Sequence, residues 1–180
     1  RIVEPMHHHL AGQTIPYRGV LFIGLMIDQH NDPYVVEFNV RFGDPECQVT
    51  LPLLKTDLYS LLYGAATDAL HEVNLELHEG SAVTVVLASE GYPAAPVKGR
   101  PLVGLNSLLS QTTYPEAWVN FAGVSTDNDG GFVASGGRVL SCTALGKDLA
   151  STQKAAYRLM ENIELEGGHY RTDIAHRAMR

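Results

Sequence analysis

Alternating apolar and polar residues in the segment 18–41 predict a β-hairpin. The run RGVLFIGLMID is rich in β-branched and aromatic residues, and YVVEFNVR has the same texture. Between these runs, QHNDP carries the Asn, Asp and Pro that are typical of a turn. The two runs are therefore expected to pair as the strands of a hairpin.

The second strand of this hairpin is expected to sort its side chains by chemistry. Successive strand residues point to opposite faces, and residues two apart lie about 6.6 Å from each other along one face. One face then presents the polar side chains Glu37, Asn39 and Arg41. The opposite face presents the apolar side chains Val36, Phe38 and Val40.

Helical spacing of apolar residues follows the hairpin. It predicts only a short helix, or the first turn of one, through residues 49–54, because Pro52 lacks a backbone N–H. Thr56 or Asp57 is then expected to cap the helix LYSLLYGAATDAL. The buried stripe of that helix is predicted to consist of Leu58, Leu61, Leu62, Ala65 and Ala69.

Beyond residue 76, short runs typical of strands alternate with turns rich in Gly and Pro. Strands are predicted at 82–89, 117–123 and 136–146, with a turn at DNDGG and a final short strand at HYRTDI. Asp148 is expected to cap one helix, whose apolar residues in register are Leu149, Ala156, Leu159, Met160 and Ile163. The change in texture predicts an α+β chain with two domains, 1–76 and 77–180.

Composition narrows the classes of function. The chain has 13 Lys and Arg against 20 Asp and Glu, a net charge of −7, which leaves no basic face of the size that nucleic acid requires. No run approaches the roughly 20 apolar residues of a membrane helix, and no signal peptide is recognisable. We therefore expect a cytoplasmic protein that binds neither nucleic acid nor membranes. Cys47 and Cys142 are expected to remain thiols.

The polar face of the second strand is a candidate metal and phosphate site. Carboxylate and amide oxygens, as in Glu37 and Asn39, suit Mg²⁺, and their spacing lets both reach one ion. Arg41 beside them is able to pair with phosphate oxygens. The pattern alone is more often that of a solvent-facing polar side of an amphipathic edge strand. In the next segment, Asp44 before Pro45 is typical of a helix N-cap, either as an ordinary helix start or as an anion site.

Several motifs in order resemble one family of enzymes. LFIGLM and VVEFNVRFGDPE are followed by LPLLKTDL, VVLASEGYP, a KG doublet, GGRVL, TALG and YRTDIAHRA. Together they resemble the C-terminal portion of the phosphoribosylamine-glycine ligase, or glycinamide ribonucleotide synthetase, family. RFGDPE is highly specific to that family. The resemblance implies the C-terminal part of an ATP-grasp domain in 1–76, followed by a small, mostly antiparallel sheet domain with one or two helices in 77–180.

The resemblance also implies a reaction and its site residues. The family joins glycine to 5-phosphoribosylamine through glycyl phosphate, with ATP as co-substrate, in purine biosynthesis. Glu37 and Asn39 are then the expected ligands of Mg²⁺ or Mn²⁺ and contact ATP with Arg41, which is also a catalytic candidate. Asp44 is a second catalytic candidate, expected with Glu46 on the substrate side but without a firm role.

The family pattern is incomplete in this chain. The N-terminal half, which supplies the adenine pocket and most substrate contacts, is missing, so the chain is expected to be inactive alone. In the C-terminal domain, residues 120–124 read NFAGV where the family tends to show FHAGT. A non-catalytic or complementing ATP-grasp subunit that needs a separate N-terminal half is therefore the alternative interpretation. Gly136, Gly137 and Arg138 are interpreted as a tight turn, with a phosphate cradle as the alternative.

Overall fold

The computed structural model describes residues 1–110 and 116–179. Short helices and small antiparallel sheets make up the described chain, which confirms the predicted α+β class. In chain order its helices and strands are α1 (Val3–Ala11), β1 (Phe22–Ile27), β2 (Pro33–Asn39), α2 (Cys47–Thr50), α3 (Leu58–Thr67), β3 (Ser81–Ala88), α4 (Leu105–Ser110), β4 (Ala117–Phe121), β5 (Val124–Thr126), β6 (Phe132–Ala134), β7 (Arg138–Gly146) and α5 (Leu149–Met160). Short 3-10 helices lie at Leu51–Leu53, Leu70–Glu72 and His176–Met179.

The chain divides into two compact units. Unit 1 comprises Arg1–Glu46 and Leu54–Leu77, and unit 2 comprises Cys47–Leu53 and His78–Arg180. The short segment that contains α2 thus belongs to unit 2, although it precedes the boundary expected at residue 76. Assignment of the ranges 1–76 and 77–180 to particular domains stays a prediction.

Unit 1 contains the predicted hairpin, in which β1 and β2 pair antiparallel. The turn is organised by Asp28, whose side chain accepts hydrogen bonds from the backbone N–H groups of His30 and Asp32 at 2.8 and 2.9 Å. Asn31 adopts the left-handed conformation that this turn requires, with φ of 63°. The turn chemistry of QHNDP therefore has a specific structural role.

The pairing of the hairpin shifts by one residue between Gly24 and Leu25. Gly24 pairs with Glu37, whereas Leu25 pairs with Val35, so Val36 is an extra residue that forms a β-bulge. Residues two apart on β1 share a face, which places the partners of Ile23 and Leu25, namely Phe38 and Val35, on one side. The bulge thus adds Val35 to the row of Phe38, where the sequence pattern did not place it, while the face of Val36 stays a prediction.

Two helices complete unit 1. Helix α3 begins after Asp57, whose side chain accepts a hydrogen bond from the Ser60 backbone N–H at 2.9 Å, as the sequence predicts. Its predicted stripe is only partly buried: Leu58, Leu61, Ala65 and Ala69 are half-buried and Leu62 is 43% exposed. The buried residue of this helix is Gly64. Helix α1 was not predicted. Pro5 lies in its first turn, where the missing N–H costs no helical hydrogen bond.

Unit 2 is built on an antiparallel sheet with strand order β3-β7-β4. Helix α5 packs against β3 and β7, and Asp148 caps it by accepting a hydrogen bond from the Ser151 backbone N–H at 2.9 Å. The core is formed by alternate residues of β3, by residues 139–144 of β7, which are all buried, and by one face of α5. Its largest fully buried hydrophobic side chains are Leu105, Leu140, Leu159, Met160, Val85 and Val139.

The two cysteines are not joined by a disulfide. Cys142 is buried in β7, and this burial raises the pKa of its thiol to about 12. The Cys47 thiol donates a hydrogen bond to the Gln48 side-chain oxygen at 2.8 Å. The expectation of thiols is confirmed at both positions.

Three short features of unit 2 differ from the sequence prediction. Strands β5 and β6 form a second hairpin around the predicted DNDGG turn, but each has only three residues and carries little alternation. Helix α4 was not predicted either. The prediction of a final strand at HYRTDI is wrong. His169 makes an isolated bridge to Ala88, and a 3-10 helix follows at His176–Met179.

Candidate active site

Glu37 and Asn39 share one face of the hairpin. Glu37 pairs with Gly24 and Asn39 pairs with Phe22, and these partners are two residues apart on β1. The bulge at Val36 precedes both polar residues, so the alternation from Glu37 onward is undisturbed. The structure therefore brings together a carboxylate and an amide as the strand pattern predicts.

Gly24 makes room for the Glu37 side chain. A Cβ atom at position 24 would lie 3.0 Å from Cγ of Glu37, which is closer than ordinary van der Waals contact. Because Gly24 has no side chain, the aliphatic part of the Glu37 side chain is able to pack against β1 at this position. Glu37 remains exposed, and Asn39 is half-buried.

Arg41 lies just beyond the end of β2, next to Asn39. Its Nη2 donates a hydrogen bond to Oδ1 of Asn39 at 3.3 Å, and its Nη1 donates to the Phe42 carbonyl oxygen at 2.7 Å. The two contacts hold an exposed guanidinium group at the edge of the carboxylate and amide pair. Glu37, Asn39 and Arg41 therefore form one polar surface, referred to below as the site face.

The turn after Arg41 is tightly built around Gly43, which is buried. A Cβ atom at position 43 would lie 2.4 Å from Oε2 of Glu46 and 2.8 Å from the Phe22 ring. Asp44 is exposed on this turn. The predicted helix start at Asp44 and Pro45 is wrong, since α2 begins at Cys47 and has only four residues. The interpretation of Asp44 and Pro45 as an anion site at a helix N-terminus therefore loses its basis. The catalytic role of Asp44 stays a prediction.

The donor atoms of the site face fit a hard cation shared with phosphates. Glu37 and Asn39 offer oxygen ligands of the kind that Mg²⁺ prefers, and Mg²⁺ keeps its other positions for waters and phosphate oxygens. In residues 1–110 and 116–179, no group of three or more His, Cys, Asp and Glu side chains is arranged to hold a metal. Glu37 and Asn39 would therefore fill only part of the coordination shell of a cation, and the phosphates of a bound nucleotide would be needed to complete it.

Gly136 and Gly137 allow close packing in unit 2. A Cβ atom at position 137 would lie 2.4 Å from the Tyr92 ring, and one at Gly123 would lie 2.6 Å from Cα of Gly136. Ser89 closes the turn, since its hydroxyl donates a hydrogen bond to the Gly136 carbonyl oxygen at 2.8 Å. These contacts account for the glycines as a tight turn and support that interpretation over a phosphate cradle.

The NFAGV segment takes part in the structure of unit 2. Nδ2 of Asn120 donates a hydrogen bond to the buried hydroxyl of Thr143 at 2.8 Å, and its Oδ1 accepts one from the indole N–H of Trp118 at 3.1 Å. Phe121 packs edge-to-face on Phe132, with ring centroids 5.4 Å apart. Sequence reasoning missed this network, because the three strands that contribute to it are distant along the chain.

Comparisons with known proteins define first a class and then a family. Residues 1–47 match the family model described as "Phosphoribosylglycinamide synthetase, ATP-grasp (A) domain", so the hairpin belongs to the ATP-grasp class. Residues 82–177 match the model "Phosphoribosylglycinamide synthetase, C domain". The chain belongs to the phosphoribosylglycinamide synthetase family.

Curated relatives and a solved structure agree with this assignment. The chain is 43% identical over 178 residues to the phosphoribosylamine–glycine ligase of Rhizobium meliloti. The aligned region covers 99% of this chain and 40% of that protein. It is 42% identical over 180 residues to the chloroplastic phosphoribosylamine–glycine ligase of Arabidopsis thaliana, of which it covers 34%. The crystal structure of the Thermotoga maritima ligase matches 91% of this chain and 39% of its own, with a TM-score of 0.68 and 37% identity.

A more distant structure shares the fold alone. N5-carboxyaminoimidazole ribonucleotide synthetase from Thermotoga maritima matches with a TM-score of 0.52 and 18% identity, over 82% of this chain.

In the described parts of the chain, no helix has the length and apolar character to cross a membrane. The chain spans about 40% of the length of the curated bacterial relatives.

Proposed function

We propose that this chain is the C-terminal portion of a ligase that joins glycine to 5-phosphoribosylamine, with cleavage of ATP. The observation that carries the proposal is the site face, on which Glu37, Asn39 and Arg41 lie together on the hairpin. Relatives at 42–44% identity are phosphoribosylamine–glycine ligases, which supports the same reaction. Cytoplasmic localisation stays a prediction, since the Arabidopsis thaliana relative is described as chloroplastic.

In this proposal the site face binds the phosphates of ATP. Glu37 and Asn39 would hold Mg²⁺ or Mn²⁺, which supplies charge neutralisation to the phosphoryl group when it is bound. Arg41 donates hydrogen bonds to phosphate oxygens, and its contact with Asn39 orients the guanidinium group beforehand. Both roles are electrostatic, so the chemistry requires positioning and no protein nucleophile.

The proposed reaction has two steps. A glycine carboxylate oxygen attacks the γ-phosphorus of ATP, which forms glycyl phosphate and releases ADP. The nitrogen of 5-phosphoribosylamine then attacks the acyl carbon, forms the amide bond and expels phosphate. Arg41 is proposed to offset negative charge on the transferring phosphoryl group, and Asp44 to act on the substrate side of the same turn.

A chimera provides the test of the ligase proposal. This chain replaces the matching 178 residues of the Rhizobium meliloti ligase, and glycine-dependent ADP release is measured. Glu37→Gln in the chimera is expected to lower kcat/KM by about 100-fold or more, because a charged metal ligand is lost. The matched control is Glu4→Gln, which changes an exposed carboxylate on α1 and is expected to keep full activity. A chimera that releases ADP equally well with Glu37→Gln would contradict the proposal.

A mixing experiment distinguishes the ligase proposal from the alternative, in which this chain is a complementing subunit. If this chain serves as a separate subunit, the chain added to the remaining part of the Rhizobium meliloti ligase restores ADP release without a covalent link. The ligase proposal predicts activity in the chimera, and the alternative predicts activity on mixing as well. The chain by itself is expected to show no glycine-dependent ADP release in either case.

A further inference from the structure

A tyrosine that precedes β1 reaches both sides of the hairpin at the point where the strand pairing ends. The last pair of the ladder is Phe22 with Asn39. Beyond it, the Tyr17 hydroxyl donates a hydrogen bond to the Val20 carbonyl oxygen at 2.8 Å and lies 3.4 Å from the Val40 carbonyl oxygen. The hydroxyl therefore bridges the two segments where the strand pairing no longer joins them.

The Val40 carbonyl group that this hydroxyl reaches belongs to the backbone of the site face. Val40 stands between Asn39, where β2 ends, and Arg41. The hydrogen bonds of the Arg41 side chain go to Asn39 and Phe42, both within two residues along the chain. They orient the guanidinium group relative to its own segment but not relative to β1. The Tyr17 hydroxyl supplies that attachment.

The segment that carries Tyr17 is itself held in place. Nη2 of Arg18 lies 3.1 Å from Oδ2 of Asp68, and its Nη1 donates a hydrogen bond to the Ala66 carbonyl oxygen at 3.3 Å, at the end of α3. Gly19 has φ of 147°, and a Cβ atom there would lie 3.0 Å from the Tyr17 hydroxyl oxygen. These contacts fix the backbone next to Tyr17 and leave room for its hydroxyl at the end of the hairpin.

We propose that Tyr17 is a positioning residue of the site face, whose hydroxyl holds the Val40 carbonyl group and thereby sets where Arg41 meets the phosphates of a nucleotide. This inference rests on the proposed function. In this role Tyr17 acts through the backbone between Asn39 and Arg41 and does not contact the nucleotide. The effect is expected to have the size of one hydrogen bond and to be confined to steps that use Arg41.

Removal of the hydroxyl alone tests the kinetic part of this role. Tyr17→Phe in the chimera described above keeps the ring and its apolar packing. The kcat/KM for ATP in glycine-dependent ADP release is expected to fall about fivefold, as for the loss of one hydrogen bond. The matched control is Tyr34→Phe in β2, which removes a hydroxyl without a hydrogen bond in the described part of the chain and is expected to keep full activity.

A double-mutant cycle with Arg41 separates positioning from general stabilisation. In the Arg41→Ala background, Tyr17→Phe is expected to lower kcat/KM by less than about twofold, because the group through which Tyr17 acts is already missing. The same loss in both backgrounds would show that the hydroxyl only stabilises the hairpin, and it would overturn the inference. An unchanged kcat/KM for Tyr17→Phe with Arg41 present would overturn it as well.

Trypsin cleavage after Arg41 gives a measurement that requires no ligase activity. The chimera is digested without nucleotide, and the peptide that ends at Arg41 is followed by mass spectrometry. Cleavage requires local opening of the segment, so Tyr17→Phe is expected to speed it about fivefold, the effect of one lost hydrogen bond. Tyr34→Phe is expected to leave the rate of cleavage at this bond unchanged.

The cleavage rates separate the positioning role from the ligase proposal. An equal rate with and without the Tyr17 hydroxyl would overturn the inference, even where the chimera is an active ligase. Faster cleavage of Tyr17→Phe in a chimera that releases no ADP with any variant would support the attachment of Arg41 and contradict the proposed function.

Discussion

Unit 1 and unit 2 use the same local signals but differ in what they bury. Each has a helix whose aspartate cap accepts a backbone hydrogen bond at 2.9 Å, from Ser60 in unit 1 and Ser151 in unit 2. Yet every buried hydrophobic side chain of the described chain belongs to unit 2. The difference teaches that the hydrophobic pattern and the caps are enough to specify helices and strands. A hydrophobic core also requires enough helices and strands to enclose it.

The largest expected effect breaks the core of unit 2. Leu159→Ala removes a side chain of α5 that is 1% exposed, and it is expected to lower the free energy of unfolding by about 2–5 kcal/mol. Trp118, the sole tryptophan of the chain, lies in β4, so its fluorescence during urea unfolding reports on unit 2.

The matched variant in unit 1 is Leu62→Ala in helix α3. Leu62 is 43% exposed, so much less apolar area is returned to water, and the expected loss is below about 1 kcal/mol. Far-ultraviolet circular dichroism during urea unfolding measures it, because α3 contains no tryptophan. A loss as large as that of Leu159→Ala would show that unit 1 has a tightly packed core and would end the contrast between the units.

An intermediate effect comes from two glycines that lack room for a side chain. Gly137→Ala in unit 2 would press on the Tyr92 ring, and the expected loss in the free energy of unfolding is about 1–3 kcal/mol. Tyr92→Ala in the same chain is expected to restore part of it. Gly43→Ala in unit 1 would press on the Phe22 ring, 2.8 Å from the added Cβ, as well as on the Glu46 carboxylate. A smaller loss is expected in urea unfolding, because none of the buried hydrophobic side chains of the described chain lies in unit 1. Equal losses would contradict the proposed difference in rigidity.

The smallest effect concerns pH and the two helix caps. Hydrogen bonds from Ser151 lower the pKa of Asp148, and those from Ser60 lower the pKa of Asp57. A carboxyl with a lowered folded pKa stabilises the fold above its unfolded pKa of about 3.9, and this contribution is lost as pH falls through the folded value. Asp148→Asn keeps a capping oxygen without the charge, so its deficit in urea midpoint relative to the original chain is expected to vanish in strong acid.

Asp57→Asn supplies the comparison with unit 1. The same pH dependence is expected in the circular dichroism of α3, but Trp118 fluorescence is expected to stay unchanged, because α3 lies in the other unit. A deficit for either variant that grows as the pH falls would contradict the assignment of the caps.

The sequence predicts the parts of the fold that depend on neighbouring residues. The hairpin, the caps at Asp57 and Asp148, and the shared face of Glu37 and Asn39 follow from alternation and capping chemistry. The stripe predicted for α3 is only partly buried, because full burial depends on partners that the pattern does not name. The place of Val35 on the face of Phe38 was missed, since a bulge depends on the pairing of β2 with β1.

Short or isolated elements were harder to predict. Strands β5 and β6 have three residues each, too few for a recognisable alternation. HYRTDI has the composition of a strand, but of these six residues only His169 forms a β-bridge, to Ala88. At the candidate site, the contact of Arg41 with Asn39 needed a structure, because Arg41 lies beyond the end of β2.

The extra residue at Val36 has a consequence for changes in chain length. A one-residue deletion within a regular strand reverses every side chain that follows it. Here Val35 and Glu37 already point to opposite sides, so removal of Val36 would leave Glu37 and Asn39 turned toward the same side as before. The hairpin thus has a built-in tolerance for losing one residue, and relatives that differ in length at this position would keep the same polar surface.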